Sequence, residues 1–219
     1  MQPIKFVGDK EEINLLEKIA DYVKIKTANN NPIHRYAHAV RVTGLSLWLA
    51  ENYEVNYLVL QTAALMHDIW YLKAENHEIE SAKIAREYLR KLENFPKHLI
   101  NKVCNAIIAH RFNNSSRKPE TIEEKILFDA DKLDVLGAIG LARLFKYNPE
   151  KEIYCIEDSF AKHRELDEKR YDLDHMLKKA FSIKEKLFLP EAKEEAENRM
   201  GILYKFIEEL KRELSMLEK

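Results

Sequence analysis

Apolar residues along this chain recur at intervals of three and four, the spacing of one face of an α-helix. Strand-like alternation of useful length is missing, as are Asn-Gly and Asp-Gly hairpin turns and any fixed-period repeat. A first helix is expected over about 9 to 26, with Ile13, Leu16, Ile19, Ala20 and Val23 on one stripe. Turn and cap chemistry follows in Thr27-Ala-Asn-Asn-Asn-Pro32. A second helix, about 33 to 52, is apolar on two rows: Val40, Gly44 and Leu47, then Val42, Leu45 and Leu49. That pattern predicts a central helix. A third, about 56 to 69, carries the dense apolar run Leu58 to Met66.

Asn76 reads as the N-cap of a fourth helix reaching about Leu92, with Glu78 and Glu80 in its first turn, where the helix dipole favours anions. Pro96 opens a fifth, ending near His110. The stretch 112–119 reads as a mobile polar loop, and Pro119-Glu120 starts a helix through Asp131, with apolar residues continuing to Phe145. Beyond Asn148-Pro149 the chain is more polar. It ends in a long amphipathic helix, roughly 191 to 217. No linker marks a second domain.

Composition sharpens this picture. Only five glycines and six prolines occur in 219 residues, which favours helix throughout. The net charge is −1, so nothing demands a nucleic-acid or anionic-membrane partner. No run approaches the roughly 18 apolar residues of a membrane span, and no signal-peptide core opens the chain. The two cysteines, Cys104 and Cys155, form neither a disulfide framework nor a Cys-x-x-Cys pair, and a cytoplasmic location is expected.

Candidate chemistry starts at His67-Asp68, which ends the apolar run Ala-Ala-Leu-Met. A titratable pair there is costly to bury without a partner. His38 sits within the apolar second helix. Asp129, Asp131 and Asp134 punctuate a third apolar stretch and suggest one inward-facing acidic cluster. Imidazoles and carboxylates converging from separate segments suit Mn²⁺, Mg²⁺, Co²⁺ or Zn²⁺.

Four segments in order carry a resemblance: His38-x-x-Arg41-Val42, Ala-Ala-Leu-Met-His67-Asp68-Ile69, Ala-Ile-Ile-Ala-His110, and Asp129-Ala-Asp131-Lys-Leu-Asp134-Val-Leu-Gly-Ala-Ile-Gly140. The set resembles the HD-domain metal-dependent phosphohydrolases, closest to their bacterial and archaeal hydrolase branch. The resemblance implies an all-α, compact multi-helix HD-domain bundle with a long C-terminal helix. It implies a single domain over residues 1–219, with core motifs at about 30–145 and a helical extension at about 150–219. One divalent metal ion is expected on His38, His67, Asp68 and Asp131. His34 competes with His38, but the family pattern places the ligand directly before x-x-Arg-Val. Relatives often read His-Asp-Ile-Gly where this chain has Trp70, a side chain that narrows the site.

A metal-dependent phosphohydrolase is therefore expected, acting on a phosphate ester or phosphoanhydride. The expected substrate is a small phosphorylated molecule, a nucleotide above all, with triphosphate cleaved to monophosphate and pyrophosphate as the finer reading. A divalent ion lowers the pKa of water and offsets phosphoryl charge. Asp68, His77 and His110 are the candidate catalytic groups, the two histidines as proton donors to the leaving group. Arg111 and Lys132 are candidate charge stabilisers that bind substrate, and His77, behind the Asn76 cap, lies where a helix N-terminus attracts phosphate. Arg117 and Lys118 are candidates for a closing loop. Two other classes stay open: a dinuclear-metal oxidase on the same fold, with His77 and His110 as added ligands, and a non-catalytic nucleotide sensor.

Overall fold

The computed structural model describes residues 4–71, 75–111 and 117–216. Most of the expected polar loop, 112–116, lies outside them, as do 217–219. The described residues hold nine α-helices and no strand; a lone parallel bridge joins Glu152 and Tyr171. The chain divides into two compact units, residues 1–131 and 132–219.

The first unit is built from helix ends that the sequence specifies well. Helix α1 (Lys10–Lys26) starts in a capping box, Asp9 accepting from the Glu12 backbone while the Glu12 side chain returns to Asp9. Helix α2 spans Tyr36–Ala50, and α3 spans Tyr57–Met66 behind the Asn56 cap. The Asn56 side chain accepts from Val59, and its own N–H donates to Glu123, tying α3 to the first turn of α6 (Ile122–Leu133). Helices α4 (His77–Lys91) and α5 (Ile100–Ala109) complete the set.

The central helix is α3, not α2. Every α3 residue from Leu58 to Met66 is buried, and α1, α2, α4 and α5 all pack on it. In α2 Val42 and Leu49 are buried and Leu45 is half-buried, but Gly44 is exposed, and small polar residues turn inward instead. Thr43 does so by donating to the carbonyl of Ala39. Asn76 caps α4 by position alone: it sits at φ 57° and makes no side-chain cap bond.

In the second unit the apolar stretch after Asp131 is broken rather than continuous. The chain bends at 134–136 before α7 (Gly137–Tyr147). Asp134, 1% exposed, is paired with Arg143 and so faces a structural partner rather than an acidic cluster. Gly137 takes φ 73°, and Gly140 passes so close to Val135 that an added Cβ would lie 2.2 Å from its carbonyl oxygen. Helix α8 (Asp172–Ile183) was not expected from the sequence, because charged residues dilute its apolar stripe. Helix α9 (Pro190–Ser215) is the long C-terminal helix, and it packs against α7.

Gly140→Ala should lose about 1–3 kcal/mol in urea unfolding through overpacking. Gly201→Ala, in α9 with nothing within 4 Å of the new methyl, should gain about 0.5–1 kcal/mol. His175 on α8 is pushed down from 6.5 to about 4, first by burial and then by Lys179 and Lys151. A depressed folded pKa means the unfolded chain takes up the proton first. The stability this contributes is complete above pH 6.5 and drains as the pH falls towards 4. His175→Asn should flatten the urea-midpoint profile over that window, and a slope parallel to wild type would remove His175 from the account.

Candidate metal centre

The candidate residues sit at helix ends. His67 directly follows α3 and His110 directly follows α5, each as the C-cap. A helix leaves its last carbonyls unpaired. Each histidine answers this locally: His67 Nδ1 donates to the Ala64 carbonyl at 2.8 Å, and His110 Nδ1 to that of Ile107 at 2.5 Å. With Nδ1 protonated, the Nε2 of each neutral ring is a bare lone pair aimed beyond its helix. The negative ends of two helix dipoles point the same way, which favours a cation. His38 comes from the first turn of α2, His77 from that of α4, and Asp131 from near the end of α6.

Asp68 is where these donors meet. Its Oδ2 lies 3.5 Å from His38 Nε2 and 3.6 Å from His67 Nε2. Asp131 Oδ1 lies 3.4 and 3.7 Å from the same two nitrogens, which are 3.0 Å apart. Four donors about 2.1 Å from one ion stand roughly 3.0–3.4 Å from one another, so this set has the dimensions of a coordination shell. The other oxygen, Oδ1, faces His110 Nε2 at 3.4 Å and His77 Nε2 at 3.5 Å. It is buried without a hydrogen bond of normal geometry. A carboxylate oxygen facing two imidazole nitrogens is a donor set that a cation fits. Two groups of metal-binding character thus share Asp68: His38, His67 and Asp68, then Asp68, His77 and His110.

The protonation states agree. Burial pushes His67 down to about 4, and His110 and His38 reinforce this against Asp68 and Asp131. Burial pushes the Asp68 carboxyl up, but His67, His110, His38 and His34 outweigh it and hold it well below the usual carboxylate range. Near neutral pH the site therefore offers an ionised carboxylate beside a neutral imidazole, the forms in which both ligate metal.

Other expected site residues are placed differently. His34 stacks on Tyr71, ring centroids 3.6 Å apart, with its Nε2 3.9 Å from Asp68 Oδ2. Arg111 is turned to Glu78, 3.0 and 3.3 Å from its two oxygens, and Glu78 is 2% exposed. Arg117 bonds Glu124 at 2.5 Å, so it is held down at the start of α6. Lys132 is buried and belongs to the second unit. Asp129, the rival of Asp131, is fully buried.

Sequence reasoning missed the groups that hold this arrangement. Ser81 bonds both the N–H and the carbonyl of Trp70 at 3.2 and 3.3 Å, and Asn30 bonds three backbone groups around the site. Neither leaves a periodic signal, and Asn30 is one of three adjacent asparagines in a turn.

Chelator-treated protein should gain about 2.7 kcal/mol of unfolding free energy at a Mn²⁺ concentration near one hundred times the dissociation constant. His38→Ala should abolish that gain, read by urea unfolding with and without Mn²⁺. An equal gain in the variant would remove His38 from the ion's shell.

The comparisons agree with this construction. The HD-domain family profile matches residues 35–136, which contain all six residues converging on the site. YpgQ of Bacillus subtilis is 24% identical over 207 residues, 93% of this chain and 96% of that one. Its crystal structure in complex with ADP superposes with a TM-score of 0.69, over 92% of this chain and 96% of that one. The Lin1889 protein of Listeria innocua is 27% identical with a TM-score of 0.71, covering 93% and 97% of the two chains. An HD-superfamily hydrolase of Bacillus thuringiensis is 26% identical with a TM-score of 0.66, covering 93% and 98%. Among the described residues no helix is long and apolar enough to cross a membrane. The all-α fold, the His67-Asp68 pair and the profile match over residues 35–136 together support membership of the HD-domain superfamily.

Proposed function

We propose that the protein is a metal-dependent phosphohydrolase whose substrate is a nucleotide, cleaved at a phosphoanhydride or phosphate ester bond. The observation that carries this is the convergence of imidazole lone pairs and two carboxylates on Asp68. His38, His67, Asp68 and Asp131 would hold one divalent ion, which would supply a water of lowered pKa and offset charge developing on the phosphoryl group. Asp68 keeps its ionised charge against the cost of burial, because the surrounding histidines favour it, and it stands beside His67 and His38. His77, at the first position of α4, stands where backbone N–H groups attract phosphate and is the proton donor to the leaving group. The ADP bound by YpgQ supports the nucleotide as substrate class. Cleavage of triphosphates to monophosphate and pyrophosphate is the finer form of the proposal.

His110 fits the proton-donor role less well. Its Nδ1 is committed to the Ile107 carbonyl. The Asp68 oxygen between His77 and His110 favours a second reading, in which Asp68, His77 and His110 would hold a second ion. Such a pair serves two-metal hydrolysis, or oxygen chemistry where both ions are iron.

The test is an assay with Mn²⁺ and a panel of nucleoside and deoxynucleoside mono-, di- and triphosphates, with phosphate and pyrophosphate followed separately. Pyrophosphate from triphosphates is expected, and His67→Ala should lower the rate by roughly 100-fold or more. Phosphate from monophosphates would redirect the assignment to a nucleotidase. No release above the variant, with two irons per chain by metal analysis, would replace hydrolysis with the oxidase reading.

A further inference from the structure

Asn30 is 3% exposed, and both polar atoms of its side chain are committed to backbone groups around Asp68. Its Nδ2 donates to the Asp68 carbonyl at 2.9 Å and to the His34 carbonyl at 3.2 Å. Its Oδ1 accepts from the Tyr71 N–H at 3.2 Å. Two carbonyls and one N–H admit a single orientation of the amide. The backbone of Asn30 is pinned as well: its N–H donates to the Thr27 carbonyl at 3.1 Å, and its own carbonyl accepts from Arg35 Nε at 3.2 Å.

These bonds connect segments that the chain keeps apart. Asp68 is 38 residues from Asn30. The His34 carbonyl belongs to the turn that delivers His38 into α2. On the other side, Ser81 of α4 holds the backbone of Trp70. Residues 68–71 are therefore suspended between two side chains, and Asn30 bonds the peptide of Asp68 itself.

We propose that Asn30 is the positioning residue that sets Asp68 between its two groups of histidines, an inference that rests on the metal-site reading above. A carboxylate that serves donors on both of its oxygens has no slack: a rotation that improves one side spoils the other. Its main chain lies beyond the last residue of α3, Met66, and the Asn30 amide fixes it from outside the site. Asparagine suits the position chemically. It offers two donors for two carbonyls and one acceptor for one N–H on a short stem. Aspartate would turn an acceptor towards both carbonyls, serine has one donor, and glutamine is a methylene too long.

The experiment uses the full chain as wild type, Asn30→Asp and Asn30→Ser. Mn²⁺ affinity is read by titration calorimetry, and melting temperature with and without saturating Mn²⁺. Partners that orient metal ligands typically govern affinity by about 10–100-fold, and a loss of that size is expected for Asn30→Asp, together with a smaller rise in melting temperature on adding Mn²⁺. Asn30→Ser, uncharged and with one donor, should fall between, and it carries the test should Asn30→Asp not fold. A merely structural role would lower the melting temperature equally with and without Mn²⁺ and leave the affinity at the wild-type value; that result overturns the assignment of Asn30 alone. Wild-type protein that binds no Mn²⁺ would sink the metal-site reading and this inference with it.

Discussion

An ionised carboxylate buried among apolar helices must be compensated, and the architecture of the first unit follows from how Asp68 meets that demand. The group is 6% exposed, and its surroundings hold it in the charged form. Its compensation comes from the imidazoles of His34, His38, His67, His77 and His110, each within 4 Å of one of its oxygens. His67 and His110 also each donate from Nδ1 to a carbonyl of their own helix. The capping bond that finishes α3 or α5 therefore also turns the Nε2 edge of the ring towards Asp68. Helix termination and ligand preparation are the same interaction.

This explains why the helices are short where the site lies. A histidine in the middle of a helix points sideways, whereas one at the C-cap points past the last turn. Helices α3 and α5 each have ten residues and stop where their histidines face a common point. The buried α3 run from Leu58 to Met66 supplies the stability that such a polar focus does not. The backbone beyond it, at 68–71, is then held by side-chain bonds from Asn30 and Ser81 as well as by the buried Ile69. Glu78 and Arg111 form a similar brace, each being the residue after a histidine of the second group.

The sequence carried the helices and the ligand residues for different reasons. Periodicity located α1, α3, α4, α5 and α9 to within a few residues, because each buries one well-marked stripe or a full apolar run. It failed for α8, whose stripe is interrupted by charge, and at 134–136, where Asp134 and Gly140 encode a bend through contacts that only the fold creates. The order of α2 and α3 from surface to centre was misread, since Thr43 and Ser46 face inward while Gly44 faces out. The meeting of His38, His67, Asp68 and Asp131 was legible through family resemblance, not through spacing. The partners of Arg111 and Arg117 were not legible, because a cation looks the same in sequence whether it faces a substrate or a buried glutamate.

That last point bears on how an anionic substrate would be received. Arg111 and Arg117 are neutralised by Glu78 and Glu124. With neutral imidazoles, the group of His38, His67, Asp68 and Asp131 carries the charge of two carboxylates and repels a phosphate. One divalent ion brings this group to neutrality, and a second, on His77 and His110, would make it positive. On the proposed reading the attraction for phosphate therefore comes with the metal rather than from resident arginines. On that reading metal loading would precede or accompany nucleotide binding, and affinity for the nucleotide would measure how well Asp68 is held.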